Sequence, residues 1–399
     1  MNYLNNDHKF VKTNWQTRKL GEVCEIINGG TPDTKNLSFW GKDHFWITPK
    51  DMGSLMSIYT KETARKISNS GLKNSSAKIL PPNSIILSSR APIGHLAINK
   101  VPMATNQGCK GLIPKKELDY VFLFYFLFNS VDLLNRLGSG TTFKELSGSK
   151  LSGIEIPLPP LPEQRRIVKI LNEVFEKVTK AKENSEKNLQ NTKDLFESYL
   201  QNVFSNPGKD WQHKILGDVC TLYQGIAINT KTKHALVEKS NLPLLRIKDL
   251  KNNTVEQYID PNNYPKNALV NESDILYTRT GSLGLVFRGR KGVLHNNSFK
   301  VVPSKKLDKD YLFIWLQNPI FKSKIMNLAL RAAQPDITHA IFKIQEIDIP
   351  SLKEQKVIVA KLDALSAETK KLEAIYKRKL ADLEELKKSV LQKAFNGEL

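Results

Sequence analysis

The sequence predicts an α+β protein: two globular domains separated by a pair of long antiparallel coiled-coil helices and related by a pseudo-twofold internal repeat. Three observations predict it. WQTRKLGEVC from Trp15 to Cys24 returns as WQHKILGDVC from Trp211 to Cys220. Short apolar runs broken by Gly, Pro, Asn and Ser fill the first part of each copy, as in a mixed domain with many loops. Each copy then ends in about forty residues without Gly or Pro, Glu163 to Phe204 and Glu354 to Phe395, carrying apolar residues at three- and four-residue steps.

The repeat extends along the chain. Pro49-Lys50-Asp51-Met52 is echoed by Ile247-Lys248-Asp249-Leu250. IILSSRAPIG (Ile85 to Gly94) is answered by ILYTRTGSLG (Ile275 to Gly284), read with one more residue after the arginine. The aromatic run at Tyr120 matches that at Tyr311, and IEIPLPPLPEQ (Ile154 to Gln164) matches the shorter IDIPSLKEQ (Ile347 to Gln355). A period this long means duplicated domains rather than a solenoid. The expected boundaries are 1–160 and 207–351 for the domains, with 161–206 and 352–399 as helical spacers.

On the helices, Leu171, Val174, Val178, Leu189, Leu195 and Leu362, Leu365, Leu372, Leu383, Leu386, Val390 are the expected contact stripe. Within the same stripes fall Ala181, Ser185, Thr192, Tyr199, Val203, Thr369, Tyr376, Leu380 and Ala394. A stripe left wet would be unstable, so the helices are expected to bury against each other. Helix two starts at domain two, so it must run back antiparallel. A dumb-bell follows, with the helices as a ruler.

Charge narrows the partner. With 60 Lys+Arg against 40 Asp+Glu, the 399-residue chain carries +20. Such a surplus suits a polyanion, because each neutralised phosphate releases a counterion. Cys24, Cys109 and Cys220 form no CxxC pair and read as reduced, packed thiols. MNYLNNDHKF lacks an apolar signal core, and the run Val121 to Phe128 is too short to cross a bilayer. A cytoplasmic protein is expected.

Candidate DNA contacts are arginines, which fork onto guanine, and Asn or Gln, which pair with adenine. Lys50, Arg90, Asn106, Gln107 and Lys110 in copy one are set against Lys248, Arg279, Asn296, Asn297 and Lys300 in copy two. Residues shared by both copies suit phosphates or the fold, whereas base readers belong in the divergent loops. Those are Asn36 to His44, and Thr230 to Ser240 with Lys231, Lys233 and His234. Each named residue can equally serve a turn or a solvated surface, and for Asp51 and Asp249 the structural role is favoured.

Catalytic motifs fail. There is no phosphate loop, no HExxH and no Cys/His cluster, and the Pro-Pro pairs lack the flanks of a base-flipping methyltransferase. Pro335-Asp336 with Glu354-Gln355-Lys356 fits a loose nuclease string. Its copy-one counterpart, Lys144-Glu145 with Glu163-Gln164-Arg165, places the Glu-Gln at a helix start, where a carboxylate favours the dipole. Neither metal nor cofactor is expected.

Gly29-Gly30-Thr31-Pro32, Trp40-Gly41, FWITPKD (Phe45 to Asp51), the SRAPIG turn and IPLPPLPEQ (Ile156 to Gln164) entering a long helix resemble the specificity subunit of type I restriction-modification enzymes. The resemblance covers nearly the whole chain. Copy two departs from it, having Ser351 and Lys353 and no GGTP or WG element, which suggests a domain of another subclass reading another sequence. The resemblance implies two target-recognition domains, each binding half of a split sequence. It further implies two modification subunits docking on the helices with S-adenosylmethionine and adenine-methyl transfer, and restriction subunits joining for cleavage. The rival readings are a stand-alone nuclease using the PD…ExK string and a coiled-coil scaffold with an incidental basic surface.

Overall fold

The computed structural model describes residues 15–90, 92–140, 144–330 and 334–399. The N-terminal stretch MNYLNNDHKF lies outside the described residues. Packing divides the chain into two compact units, Met1–Ser185 with Lys379–Leu399, and Glu186–Arg378. Each unit therefore combines one mixed domain with part of both long helices.

In the first unit, strand Gln16–Lys19 pairs antiparallel with Glu155–Leu158, so the domain closes on its own two ends. Pro157 lies in that short strand opposite Thr17, at an edge where a missing N–H is tolerated. The main sheet runs in the order Cys24–Asn28, Cys109–Pro114, Ile85–Ser88, Leu96–Asn99, Tyr59–Thr60. Alternate residues of its central strands serve opposite faces. Ile85, Leu87, Ile98 and Leu112 join the core beneath helix Tyr120–Asn129, whereas Ile86, Ala97 and Cys109 pack with Ile47, Leu80 and Met103 of a second, four-stranded sheet. The helix YVFLFYFLFN is capped by Asp119, whose carboxylate accepts from the N–H groups of Val121 and Phe122, and Val121 to Leu127 are all buried. The longest apolar run is thus a core helix. Among the described residues, no helix is long and apolar enough to cross a membrane.

The second unit repeats the plan. Gln212–Ile215 pairs with Glu346–Ile349, and the main sheet runs Cys220–Gln224, Ser298–Pro303, Ile275–Thr278, Val286–Phe287. Helix Lys309–Trp315, capped by Asp308, covers it.

Strand register corrects the correspondence read from residue identities. Cys24 faces Pro114 and Cys220 faces Pro303, which equates Lys110 with Phe299 and Asn106 with His295. The sequence pairing of Asn106, Gln107 and Lys110 with Asn296, Asn297 and Lys300 is one residue out. The helix caps Asp119 and Asp308 likewise equate Phe122, not Tyr120, with Tyr311. The turns after Ser88 and Thr278 are equally long, since Gly94 N–H donates to Ser88 O as Gly284 N–H does to Thr278 O. Arg90 and Arg279 therefore differ by one position. Finally, Lys19 faces Glu155 and Ile215 faces Glu346, so the two strand-to-helix corners match without the shortening inferred for copy two. Hydrogen-bonded register decides equivalence, whereas surface identity drifts.

The long helices are Leu161–Ser205 and Leu352–Asn396, each of 45 residues. Pro162 is accommodated in the first turn, where an N–H has no helical acceptor, and Asn206-Pro207-Gly208 follows the first helix. Their directions oppose within the first unit. There, Arg166 Nη2 donates to Leu399 O at 2.6 Å while Lys182 pairs with Glu384 at 2.7 Å. In the second, Leu200 shares a buried cluster with Leu362. Leu171, Val178, Leu362, Leu391 and Ala394 are buried, as are Ser185, Thr192 and Thr369. Those three hydroxyls donate to the carbonyls of Ala181, Asn188 and Leu365, one turn back. The expected stripe is wrong at three leucines: Leu195 is 53%, Leu372 39% and Leu386 46% exposed. Phe196, Glu373 and Lys387, the next residues along, are half-buried instead. The seam follows four-three heptad steps, so geometry admits a Glu or Lys stem and leaves an off-phase leucine wet.

Candidate nucleic-acid interface

The candidate contacts sit on turns and short helices that the sheets hold. Lys50 projects from helix Pro49–Gly53, which Thr48 and Asp51 close as a capping box, with Asp51 Oδ2 accepting from Thr48 N–H at 2.8 Å. Its counterpart Lys248 lies on Ile247–Asn252, where buried Asp249 accepts from Arg246 Nε at 2.7 Å. Both aspartates are thereby used by the fold. Lys50 and Lys248 are exposed, although Lys248 pairs with Glu256 at 2.6 Å.

Arg90 and Arg279 reach the same place from adjacent positions. Leu146 N–H donates to Ser89 O, as Ile337 N–H does to Arg279 O, so Glu145 and Asp336 are equivalent. Arg90 Nε lies 3.1 Å from Glu145 Oε2, and Arg279 grips Asp336 bidentately, with Nε at 3.0 Å from Oδ1 and Nη2 on Oδ2. The paired arginine is kept although its position shifts. Thr141, Thr142 and Phe143, and Arg331 to Ala333, lie outside the described residues.

Other candidates divide by burial. Lys110 is 6% exposed, and burial holds its ammonium below the ordinary lysine range. Lys300 Nζ donates to Leu269 O at 2.6 Å. Both are occupied within the fold. Asn106 shapes its turn, donating to Thr31 Oγ1 at 3.0 Å and accepting from Gly108 N–H at 2.8 Å. Asn296 O accepts from Gln224 Nε2, and Asn297 O accepts from Arg279 N–H. Gln107, Lys231, Lys233 and His234 are exposed. Two features carried no sequence signal. Arg65 stacks on Trp40 at 3.4 Å, with Trp46 edge-on to that indole at 5.0 Å. Arg290 donates to Thr254 O at 2.8 Å and closes the turn after Lys251.

Both repeated units are matched by a family model. The type I restriction modification DNA specificity domain matches residues 12–190 and again 208–382. The chain belongs to that family. The MjaIX specificity subunit of Methanocaldococcus jannaschii is 31% identical over 292 residues, covering 68% of this chain and 67% of that one. The EcoKI specificity subunit of Escherichia coli K12 is 27% identical over 365 residues, covering 82% and 77%. The HsdS subunit of Thermoanaerobacter tengcongensis superposes with a TM-score of 0.64 at 22% identity, over 96% of this chain and 97% of that chain. A chain from a structure of a type I restriction-modification system in complex assembly reaches 0.79 at 23% identity, over 96% and 98%. At those identities the structures speak for the fold alone.

As a specificity subunit, the chain supplies sequence-specific DNA recognition to its complex and is not itself the catalyst. The nuclease-like string agrees with this. Asp336 is held by Arg279, and Glu354 Oε1 accepts from Trp211 Nε1 at 3.0 Å. Both carboxylates of the string are bound by the protein's own donors.

Proposed function

We propose that this specificity subunit reads a split DNA sequence in the cytoplasm, one half through each domain, while its paired helices set the gap between the halves. One observation carries the reading. A single hydrogen-bonded frame occurs twice, register for register, yet the matching one-turn helices it presents carry different side chains, LSF at Leu37–Phe39 and KHA at Lys233–Ala235. Equal frames with unequal side chains on their turns suit equal modes of approach to unequal base sequences.

Lys50, Lys248, Lys231 and Lys233 would meet phosphates, with Gln107 and the residues around Trp40 nearer the bases. Arg90 and Arg279 would contact DNA only by sharing or leaving their carboxylates. Lys110, Lys300 and Asn106 serve the frame, and Asn296 and Asn297 stay candidates beside it. Two modification subunits would dock and bring S-adenosylmethionine, with restriction subunits added for cleavage. The +20 charge supports a duplex partner.

A seven-residue insertion in each long helix tests the reading. It keeps the four-three phase and lengthens the rod by about 10 Å, or roughly three base pairs at ~3.4 Å each. The complete methyltransferase complex should then prefer a gap about three pairs wider with both half-sequences unchanged. An unchanged gap refutes the ruler. Exchanging residues 12–160 for another such domain should alter one half-sequence only.

A further inference from the structure

One residue type stands at the same joint in both units. Gln164, three residues after Leu161 in the first helix, is wholly buried. Its Oε1 accepts from Asp119 N–H at 2.8 Å, and its Nε2 donates to Glu117 O at 2.9 Å and Pro159 O at 2.7 Å. Gln355 in the second unit is equally buried and makes the same three bonds: Asp308 N–H at 2.6 Å, Lys306 O at 3.1 Å and Pro350 O at 2.8 Å. Only an amide has one acceptor and two donors at this spacing, and only this orientation of it satisfies all three partners.

The three partners belong to different parts of the domain. Pro159 and Pro350 end the strand that closes each domain, while Asp119 and Asp308 cap the helix lying on its main sheet. The glutamine rides on the first turn of the long helix. One side chain thus ties the helix root to the closing strand and to the core helix.

We propose that Gln164 and Gln355 are positioning residues that fix the angle at which each long helix leaves its domain, and so keep the recognised gap to a single length. The proposal rests on the split-sequence reading above. Lever arithmetic shows why the root must be rigid. A helix of 45 residues is about 67 Å long, so a tilt of about 5° at its root moves the other end by about 6 Å. That is nearly two base-pair steps. Hydrophobic packing is non-directional, whereas three converging hydrogen bonds define a direction.

The test compares the wild-type complex with one carrying Gln164→Met and Gln355→Met, which keep side-chain length and remove the bonds. Methylation is read on a library in which both half-sequences are constant and the gap varies. The wild type should select one gap. The double variant should methylate gaps one pair shorter and longer at rates within about tenfold of the optimum, a range that about 1.4 kcal/mol spans. Ile86→Ala, a truncation in a different cluster of the core, is the control, with its lower Tm and unchanged gap selectivity. Should the double variant fail to fold, Gln164→Asn and Gln355→Asn, whose amides fall one methylene short, are read singly in the same way. A variant with lowered Tm and undiminished gap selectivity overturns the clamp and leaves the split-sequence reading standing. A wild type indifferent to the gap overturns that reading and the clamp with it.

Discussion

Truncating Phe395 should destabilise the first unit from a position near the end of the chain. Its ring is 3% exposed and meets Phe122 and Phe126 edge-on, at 5.1 and 5.6 Å between centroids. Leu391 and Ala394 enter the same core as Leu87 and Leu112. Phe395→Ala removes a large buried ring, which costs about 3–5 kcal/mol including the cavity. Domains are stable by roughly 5–15 kcal/mol, so a sizeable share of this unit's stability is at stake. At about 4 kcal/mol, globally exchanging amides should open several-hundred-fold more often. Hydrogen exchange by mass spectrometry on the full chain reads this directly. Ile85–Ser88 and Cys109–Pro114 should speed up, while Ile275–Thr278 and Ser298–Pro303, in the other unit, should not. A loss below about 1 kcal/mol, or equal acceleration in both units, would show that the C-terminal turns are not part of the first core.

Three further outcomes follow from named contacts. Lys50→Ala should weaken duplex binding and flatten its salt dependence by about one counterion; by contrast, Lys300→Met should lower Tm and leave that slope unchanged, as measured by fluorescence anisotropy across a salt series. His213 Nδ1–H donates to Asp348 Oδ1 at 2.8 Å, and that bond, with Glu346 nearby, holds its imidazole above the usual range. A raised folded pKa means the pairing of Gln212–Ile215 with Glu346–Ile349 gains most below about pH 6.5 and loses the gain as pH rises through the folded value. NMR titration should give a midpoint above the ordinary one, and Asp348→Asn should bring it down. Burial pushes the Cys24, Cys109 and Cys220 thiols up to about 12, so thiol reagents at pH 8 should modify them only as fast as the units open, and immediate labelling of the native chain would contradict the packing.

Several features were legible because they are local or periodic. The duplication needed only residue order, and the long helices needed only the lack of breakers and a heptad rhythm. The capping aspartates Asp51 and Asp249 sit where a short helix begins. Other features depended on the third dimension. Lys110 and Phe299 hold equivalent strand positions without any shared chemistry, so no comparison of letters aligns them. Leu195, Leu372 and Leu386 attract notice as leucines, yet a seam selects by phase and takes Phe196, Glu373 and Lys387. The partnerships Arg90–Glu145 and Arg279–Asp336 join segments more than fifty residues apart in sequence, and a nuclease-like string dissolves once the arginine is seen on it.

The sequence by itself determined that this protein is doubled, basic and braced by two long helices, because repetition, charge and helical period are properties of a chain read in order. Only the tertiary structure decided that the last turns of the chain complete the first core, and that one buried glutamine secures each helix to its domain. Those facts rest on long-range contacts, whose partners are chosen by shape and hydrogen-bond direction, and neither leaves a periodic trace along the chain.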